Sequence, residues 1–250
     1  MTTPLPLAGK VALITGGSKG IGRATALALS KLGASVAINY GRDTAAATAL
    51  VSDLGGPTKA HAIQADAGSL PGISSLVEQT VTHFQHIDIL IPNAGVLSLK
   101  TIETTTESDF DASFALNVKG PYFLIQQAVP HMRSGGAVVL ISTSQCHAST
   151  VSAPYTLYCA TKGAVEQMTR TVAKDLASRG INVNCVAPGP TGTELFYEGK
   201  SEAALKAIAA LNPKNRIGRP EEVAEAIAWL ASPGAGWVTG QVVRANGGHV

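Results

Sequence analysis

The chain has 250 residues, 45% hydrophobic and 14% charged, with a formal net charge of +2. That size and composition suit one large α/β domain with a substantial core and exclude a disordered chain. A charge this near neutral, with no dense Lys/Arg run, excludes a nucleic-acid-binding stripe, and no apolar stretch reaches the about 18–20 residues that span a bilayer.

Residues 1–10 lack a charged segment followed by an apolar one, so no signal peptide is expected. Residues 10–15 form a short apolar run that predicts a buried strand. A glycine-rich turn follows, and then a helix over 21–32 that stops at Gly33. Residues 35–39 predict a second strand, 44–54 a helix, 60–65 a strand, 70–84 a helix and 87–91 a strand. Two helical stretches fill 105–132. Residues 137–142 predict a fifth strand, 155–178 a long helix and 181–186 a sixth strand. A Pro/Gly-rich turn precedes a mobile helical stretch over 194–211. Residues 221–230 predict the last helix and 241–244 the last strand.

Strands thus alternate with helices. The pattern predicts an α/β fold: a single-domain, doubly wound, Rossmann-like parallel sheet of seven strands with helices on both faces, spanning 1–250. The three cysteines, Cys146, Cys159 and Cys185, are too few and too scattered for a disulfide framework or a metal cluster. No metal and a cytoplasmic, reducing location are the expectation.

The first turn reads Thr15-Gly16-Gly17-Ser18-Lys19-Gly20-Ile21-Gly22. Glycine lets the backbone turn tightly against a pyrophosphate, and the following helix offers free N–H groups. Alone the pattern also fits an ordinary loop; the strand before it and the helix after it favour a dinucleotide site. An acidic residue about 20 positions on would accept ribose hydroxyls and repel a 2′-phosphate. This chain has Asn39 and Tyr40 there, Arg42 just beyond, and Lys19 in the turn. Two cations within reach of one phosphate predict NADP(H) rather than NAD(H). Asp43 is expected to cap the next helix and point elsewhere.

Tyr158 and Lys162 share a helix face by their i, i+4 spacing. An adjacent ammonium is expected to lower the phenol pKa and make Tyr158 a proton donor or acceptor. Ser142, Thr143 and Ser144 end the fifth strand, where ligands gather in open α/β sheets.

Thr15-Gly16-x-x-x-Gly20-x-Gly22 together with Tyr158-x-x-x-Lys162 resembles the short-chain dehydrogenase/reductase family over nearly the whole chain. The resemblance implies a catalytic set of Asn117, Ser144, Tyr158 and Lys162, with Thr143 as the alternative to Ser144. It implies cofactor contacts from Gly16, Ser18, Lys19, Gly20, Ile21 and Gly22, and from Asn39, Tyr40, Arg42, Asp66 and Ala67. Asn93, Ala94 and Gly95 match most of a four-residue motif in which Pro92 replaces the first Asn. Pro188, Gly189, Thr191 and Thr193 match the segment that touches the nicotinamide, and Lys162 the residue that binds its ribose.

Among family members, Asn39-Tyr40 with Arg42, and Ala187-Pro188-Gly189-Pro190, are similar to NADPH-dependent 3-oxoacyl-carrier-protein and polyhydroxynaphthalene reductases. That similarity implies reduction of a small-molecule carbonyl by hydride transfer, with a homo-oligomer, typically a tetramer, packed near Asn117, Tyr158 and Val242. Residues 193–211 are expected to form a substrate lid bearing Leu195, Phe196 and Tyr197, opposite His147, Val151 and Tyr155. Imine reduction, a hydride-shuttling epimerase and a non-catalytic NADP-binding scaffold stand as alternatives.

Overall fold

The computed structural model describes residues 4–250, so the first three of residues 1–10 lie outside what it describes. Seven strands form one sheet: β1 (Val11–Ile14), β2 (Ser35–Tyr40), β3 (Ala60–Gln64), β4 (Ile87–Ile91), β5 (Met132–Ile141), β6 (Asn182–Pro188) and β7 (Val242–Ala245). All pairings are parallel, in the order β3-β2-β1-β4-β5-β6-β7. The chain reverses its direction of travel between β1 and β4. Beyond the carboxyl ends of those strands a crevice opens, which is where such sheets bind ligands.

Nine helices are described: α1 (Gly20–Lys31), α2 (Thr44–Asp53), α3 (Leu70–Phe84), α4 (Glu107–Phe114), α5 (Gly120–Ala128), α6 (Thr156–Leu176), α7 (Glu194–Tyr197), α8 (Glu202–Ala210) and α9 (Pro220–Leu230). Side chains alternate across the strands and so build two cores. On one face Ala12 and Ile14 of β1 and Val139 and Ile141 of β5 meet Leu29 of α1, Leu50 of α2 and Ile227 of α9. On the other, Leu13, Val138 and Leu140 meet Ile73 of α3, Leu124 of α5 and Val165 of α6. Strands buried on both faces explain the continuous apolar runs of the sequence.

The helix starts follow local chemistry. Asp43, Ser69 and Thr106 accept backbone N–H bonds at the starts of α2, α3 and α4, and Gly33, at φ +101°, follows α1. Three expectations need correction. The helical stretch ends before Met132, which already belongs to β5. Between Ile87 and Ile89 the register advances from Met132 to Ala137, so the extra residues bulge, with Gly135 at φ +78°. Arg133, Ser134, Gly135 and Gly136 carry no strand-like pattern, which hid the strand start. Second, residues 194–211 split into α7 and α8, because Gly199, at φ +69°, interrupts them. Third, the chain between α4 and α5 is a π-helical segment, Ala115–Lys119, centred on Asn117.

Candidate active site

A cavity of about 650 Å³ lies over the carboxyl ends of β1, β4, β5 and β6. It runs from Gly16, Lys19, Gly20 and Ile21, past Asn93, Ala94 and Gly95, to Thr143, Ser144, Tyr158 and Lys162. Pro188, Gly189, Thr191 and Thr193 close it on the β6 side. Residues 193–211 supply one wall through Leu195, Phe196, Ile208 and Leu211.

The glycine turn is packed to a tolerance that excludes side chains. Gly16 sits at φ +60°, and a Cβ there would press on Ala94 Cα at 3.1 Å. A Cβ on Gly22 would run into the Gly16 carbonyl oxygen. Asn39 is buried and faces inward: its Oδ1 accepts the Gly16 N–H at 3.2 Å and its Nδ2 donates to the Ala65 carbonyl at 2.9 Å. Its side chain therefore shapes the turn from beneath. Asn93 does the same from just past the end of β4, donating to the carbonyls of Thr15 at 2.9 Å and Gly16 at 3.1 Å. Thr15 Oγ1 accepts from the Asn93 and Ala94 amides, so the turn stays clamped although Pro92 has no N–H to give.

The start of α1 has no side-chain cap and no acidic residue in its first turn. Its N–H groups face the cavity end and suit an anion. Around the adenosine end, Arg42 is exposed and Asp66 turns its Oδ1 to the Gly68 N–H at 2.9 Å. Lys19 differs from expectation. Asp43 caps α2 through Oδ1, but its Oδ2 lies 2.7 Å from Lys19 Nζ, which also meets Glu194 at 3.1 Å. The capping carboxylate has a second oxygen, and Lys19 takes it. These pairs are solvent-exposed, and a phosphate would compete for Lys19 at little cost. The glycine cradle, the uncapped helix and the two cations fit a phosphorylated dinucleotide such as NADP(H).

At the other end, α6 places Tyr158 and Lys162 on one face. Lys162 Nζ donates to the Ile141 carbonyl at 2.8 Å and lies 5.8 Å from the centre of the Tyr158 ring. Burial brings the Lys162 ammonium down to about 8. Burial also pushes the Tyr158 phenol well above its ordinary value, with Cys146, Cys159 and Tyr155 adding to it; Thr143 opposes them. The expectation that Lys162 lowers the Tyr158 pKa is therefore reversed in this structure. Both groups are desolvated; losing water disfavours the phenolate, and no lowering by Lys162 offsets it. The phenol is held protonated.

Thr143 Oγ1 accepts the Gln145 N–H at 3.3 Å, and Thr143 acts on the Tyr158 phenol to lower its pKa. Ser144 is buried beside it and borders the same cavity. Asn117 is buried too. Its Oδ1 accepts the Val96 N–H at 2.9 Å, and its Nδ2 donates to the Val96 carbonyl and Thr161 Oγ1, each at 3.0 Å. The side chain thus ties the Gly95–Val96 loop to α6. Gly95 allows that approach, since a Cβ would meet Asn117 Oδ1 at 3.1 Å.

Of the wall opposite the lid, Tyr155 lines the cavity, whereas His147 and Val151 do not. His147 instead meets the carboxylate of Glu166 at 3.1 Å, and Glu166 accepts the Ser142 hydroxyl at 2.7 Å. On the opposite wall Tyr197 also misses the cavity; its hydroxyl packs against Gly192. Val96, Leu97, Gln145, Ile208 and His249 line the site and were not anticipated. Apart from Ile208 on α8, they come from loops, a short turn and the chain end, where no periodicity marks a facing side.

The family model described as Enoyl-(Acyl carrier protein) reductase matches residues 16–249. An NADPH-dependent aldehyde reductase-like protein, chloroplastic, of Arabidopsis thaliana is 37% identical over 99% of this chain and 96% of its own. A hydroxynaphthalene reductase-like protein of Metarhizium majus is 38% identical over 99% and 97%. A short-chain dehydrogenase of Burkholderia cenocepacia, solved in complex with NADP, superposes with a TM-score of 0.91 at 32% identity, covering 98% of this chain and 99% of that one. With its glycine turn, its Tyr158/Lys162 helix face and this likeness along the whole chain, the protein belongs to the short-chain dehydrogenase/reductase family.

Proposed function

We propose that the protein is an NADPH-dependent reductase of carbonyl compounds, with Tyr158 as the proton donor. The observation that carries this is the placement of Tyr158 and Lys162 together at the inner end of a cleft that starts at the glycine turn. A neutral phenol there can give its proton to a carbonyl oxygen, which suits reduction of C=O to an alcohol. The names of the Arabidopsis and Metarhizium relatives support the same chemistry.

The glycine turn and the start of α1 would hold the pyrophosphate, with Ser18 and Ile21 alongside. Arg42 and Lys19 would hold the 2′-phosphate, and Tyr40, Asp66 and Ala67 would flank the adenosine. Asn93 to Gly95, Pro188, Gly189, Thr191 and Thr193 would bound the nicotinamide, and Lys162 its ribose. When bound, reduced nicotinamide supplies the hydride. Tyr158 gives its hydroxyl proton to the carbonyl oxygen. Thr143 holds that oxygen, with Ser144 next to it as the alternative. Lys162, charged below about pH 8, offsets the negative charge left on Tyr158. Asn117 positions α6 against the Gly95–Val96 loop.

The substrate side is apolar: Val96, Leu97, Leu195, Phe196, Ile208 and Leu211 line it, with Tyr155. An aromatic or apolar ketone or aldehyde fits these walls, and residues 193–211 act as its lid. We further infer a homo-oligomer, a tetramer by family, and a reducing cytoplasmic location; the exposed Trp229, Trp237 and Tyr122 and three unbridged thiols support these readings. No helix among the described residues is long and apolar enough to cross a membrane.

The test follows NADPH absorbance against a panel of benzaldehyde, an aromatic ketone, a cyclic imine and an enoyl thioester. The reading expects turnover of the carbonyls, loss of at least about a hundredfold in Tyr158→Phe, and unchanged NADPH affinity in that variant. Enoyl turnover alone would favour the chemistry named in the family model's description and overturn the carbonyl reading.

A further inference from the structure

We propose that Cys146 and Cys159 form a dithiol modification site that peroxide closes to a disulfide, shutting the adjacent active site. The proposal stands on their placement. Cys146 lies in the short 3-10 turn Ser144–His147, and Cys159 follows Tyr158 on α6. Cys146 Sγ is 3.7 Å from the Cys159 carbonyl oxygen, and each thiol shifts the other's pKa, as neighbouring side chains do. Ser142 Oγ approaches Cys146 Sγ at 4.0 Å from the far side. Both residues are partly exposed, whereas Cys185 is buried. Neither borders the cleft, so they are not needed to bind cofactor or substrate.

The pair divides the two roles that disulfide formation needs. Cys146 holds the Cys159 thiol below its ordinary pKa, and the same pairing, with burial, pushes Cys146 up. Cys159 is then the attacking thiolate and Cys146 the resolving thiol. Cys159 Sγ attacks one oxygen of hydrogen peroxide; the O–O bond breaks, and the departing hydroxide takes up the proton that Cys159 lost, giving water. Cys146 Sγ then attacks the resulting Cys159 sulfenic acid. The S–S bond forms, the S–O bond breaks, and hydroxide leaves with the Cys146 proton as a second water. Two thiols are oxidised and one peroxide is reduced.

The product bond is about 2.0 Å long, so the turn and the start of α6 must draw together. That turn follows Thr143 directly and contains Ser144, and α6 carries Tyr158. A shift of about 1 Å in a catalytic group costs on the order of a hundredfold in rate. A reversible loss of at least tenfold is therefore expected.

The experiment treats the reduced full-length protein with hydrogen peroxide and counts free thiols under denaturing conditions. The count should fall from three to one, and peptide mass spectrometry should show a Cys146–Cys159 link. Benzaldehyde reduction with NADPH should fall at least tenfold and return with dithiothreitol. Cys159→Ser should resist the loss, and Cys146→Ser should stop at a sulfenic acid trapped by dimedone; alanine replaces serine where a variant does not fold. Three free thiols after treatment, a link without loss of turnover, or equal loss in both variants would each overturn the proposal. It uses the reductase reading only for the turnover measurement. Absence of turnover in the reduced protein would refute that reading, while the thiol count and the link would still decide whether the site exists.

Discussion

Thr143→Val separates two neighbouring hydroxyls that sequence spacing alone could not rank. Valine has the shape of threonine without its hydroxyl, so the strand end keeps its packing. The Thr143 hydroxyl accepts the Gln145 N–H at 3.3 Å, and Thr143 acts on the Tyr158 phenol from beside it. Losing the long bond to Gln145 costs stability of about 1 kcal/mol. Losing a donor aimed at the carbonyl oxygen, where charge gathers in the transition state, costs about 3–4 kcal/mol, or roughly 10²–10³ in kcat. Ser144→Ala removes a hydroxyl that borders the same cavity but makes no side-chain hydrogen bond among the described residues. Its expected loss is under about tenfold, within the range of an ordinary neutral hydrogen bond. Steady-state kinetics on both variants, with urea unfolding as the control for folding, make the comparison. A larger kcat loss in Ser144→Ala than in Thr143→Val would refute the assignment.

Arg42→Ala should weaken NADPH binding by about tenfold or more and leave NADH nearly unchanged, since a charge-assisted contact to phosphate is lost; isothermal titration measures both. Lys162 has its pKa brought down by burial to about 8. Its charge is present below that value and lost above it, so kcat should decline as pH rises through about 8, and a flat profile from pH 7 to 9 would refute the role. Asp88 is buried and accepts the Val11 N–H at 2.9 Å and Arg133 Nε at 2.9 Å, with Lys10 Nζ at 3.2 Å. Burial alone would raise its pKa, but these partners outweigh it and hold the carboxyl below its ordinary value. A depressed carboxyl pKa stabilises the fold above the unfolded value and ceases to do so as pH falls through the folded value. Asp88→Asn should therefore cost about 2–3 kcal/mol at pH 7, less than a sealed ion pair because Lys10 and Arg133 reach solvent. The difference from wild type should shrink below about pH 4 in urea titrations.

Local patterns made much of the fold legible. The runs at Val11–Ile14 and Ile87–Ile91 are apolar throughout because both sheet faces are covered, and the glycines between strand and helix mark turns that nothing larger fits. The start of β5 was hidden because its bulge breaks the alternation of sides on which strand patterns rest. The π segment around Asn117 left no trace either, since a single wide turn keeps ordinary helix-forming residues.

The site divides the same way. Tyr158, Lys162 and the glycine turn were readable because each pair or cluster lies within one element, where spacing implies proximity. By itself the sequence therefore determined the sheet, the glycine cradle and the shared face of Tyr158 and Lys162. Tertiary structure decided the rest: the placement of Thr143 beside Tyr158, the inward turn of Asn39, the pairing of Lys19 with Asp43 and Glu194, and the contact of the Cys146 thiol with the Cys159 carbonyl. It also decided the sign of the Tyr158 shift. Desolvation depends on everything packed around a group, and residues far apart in the chain do that packing.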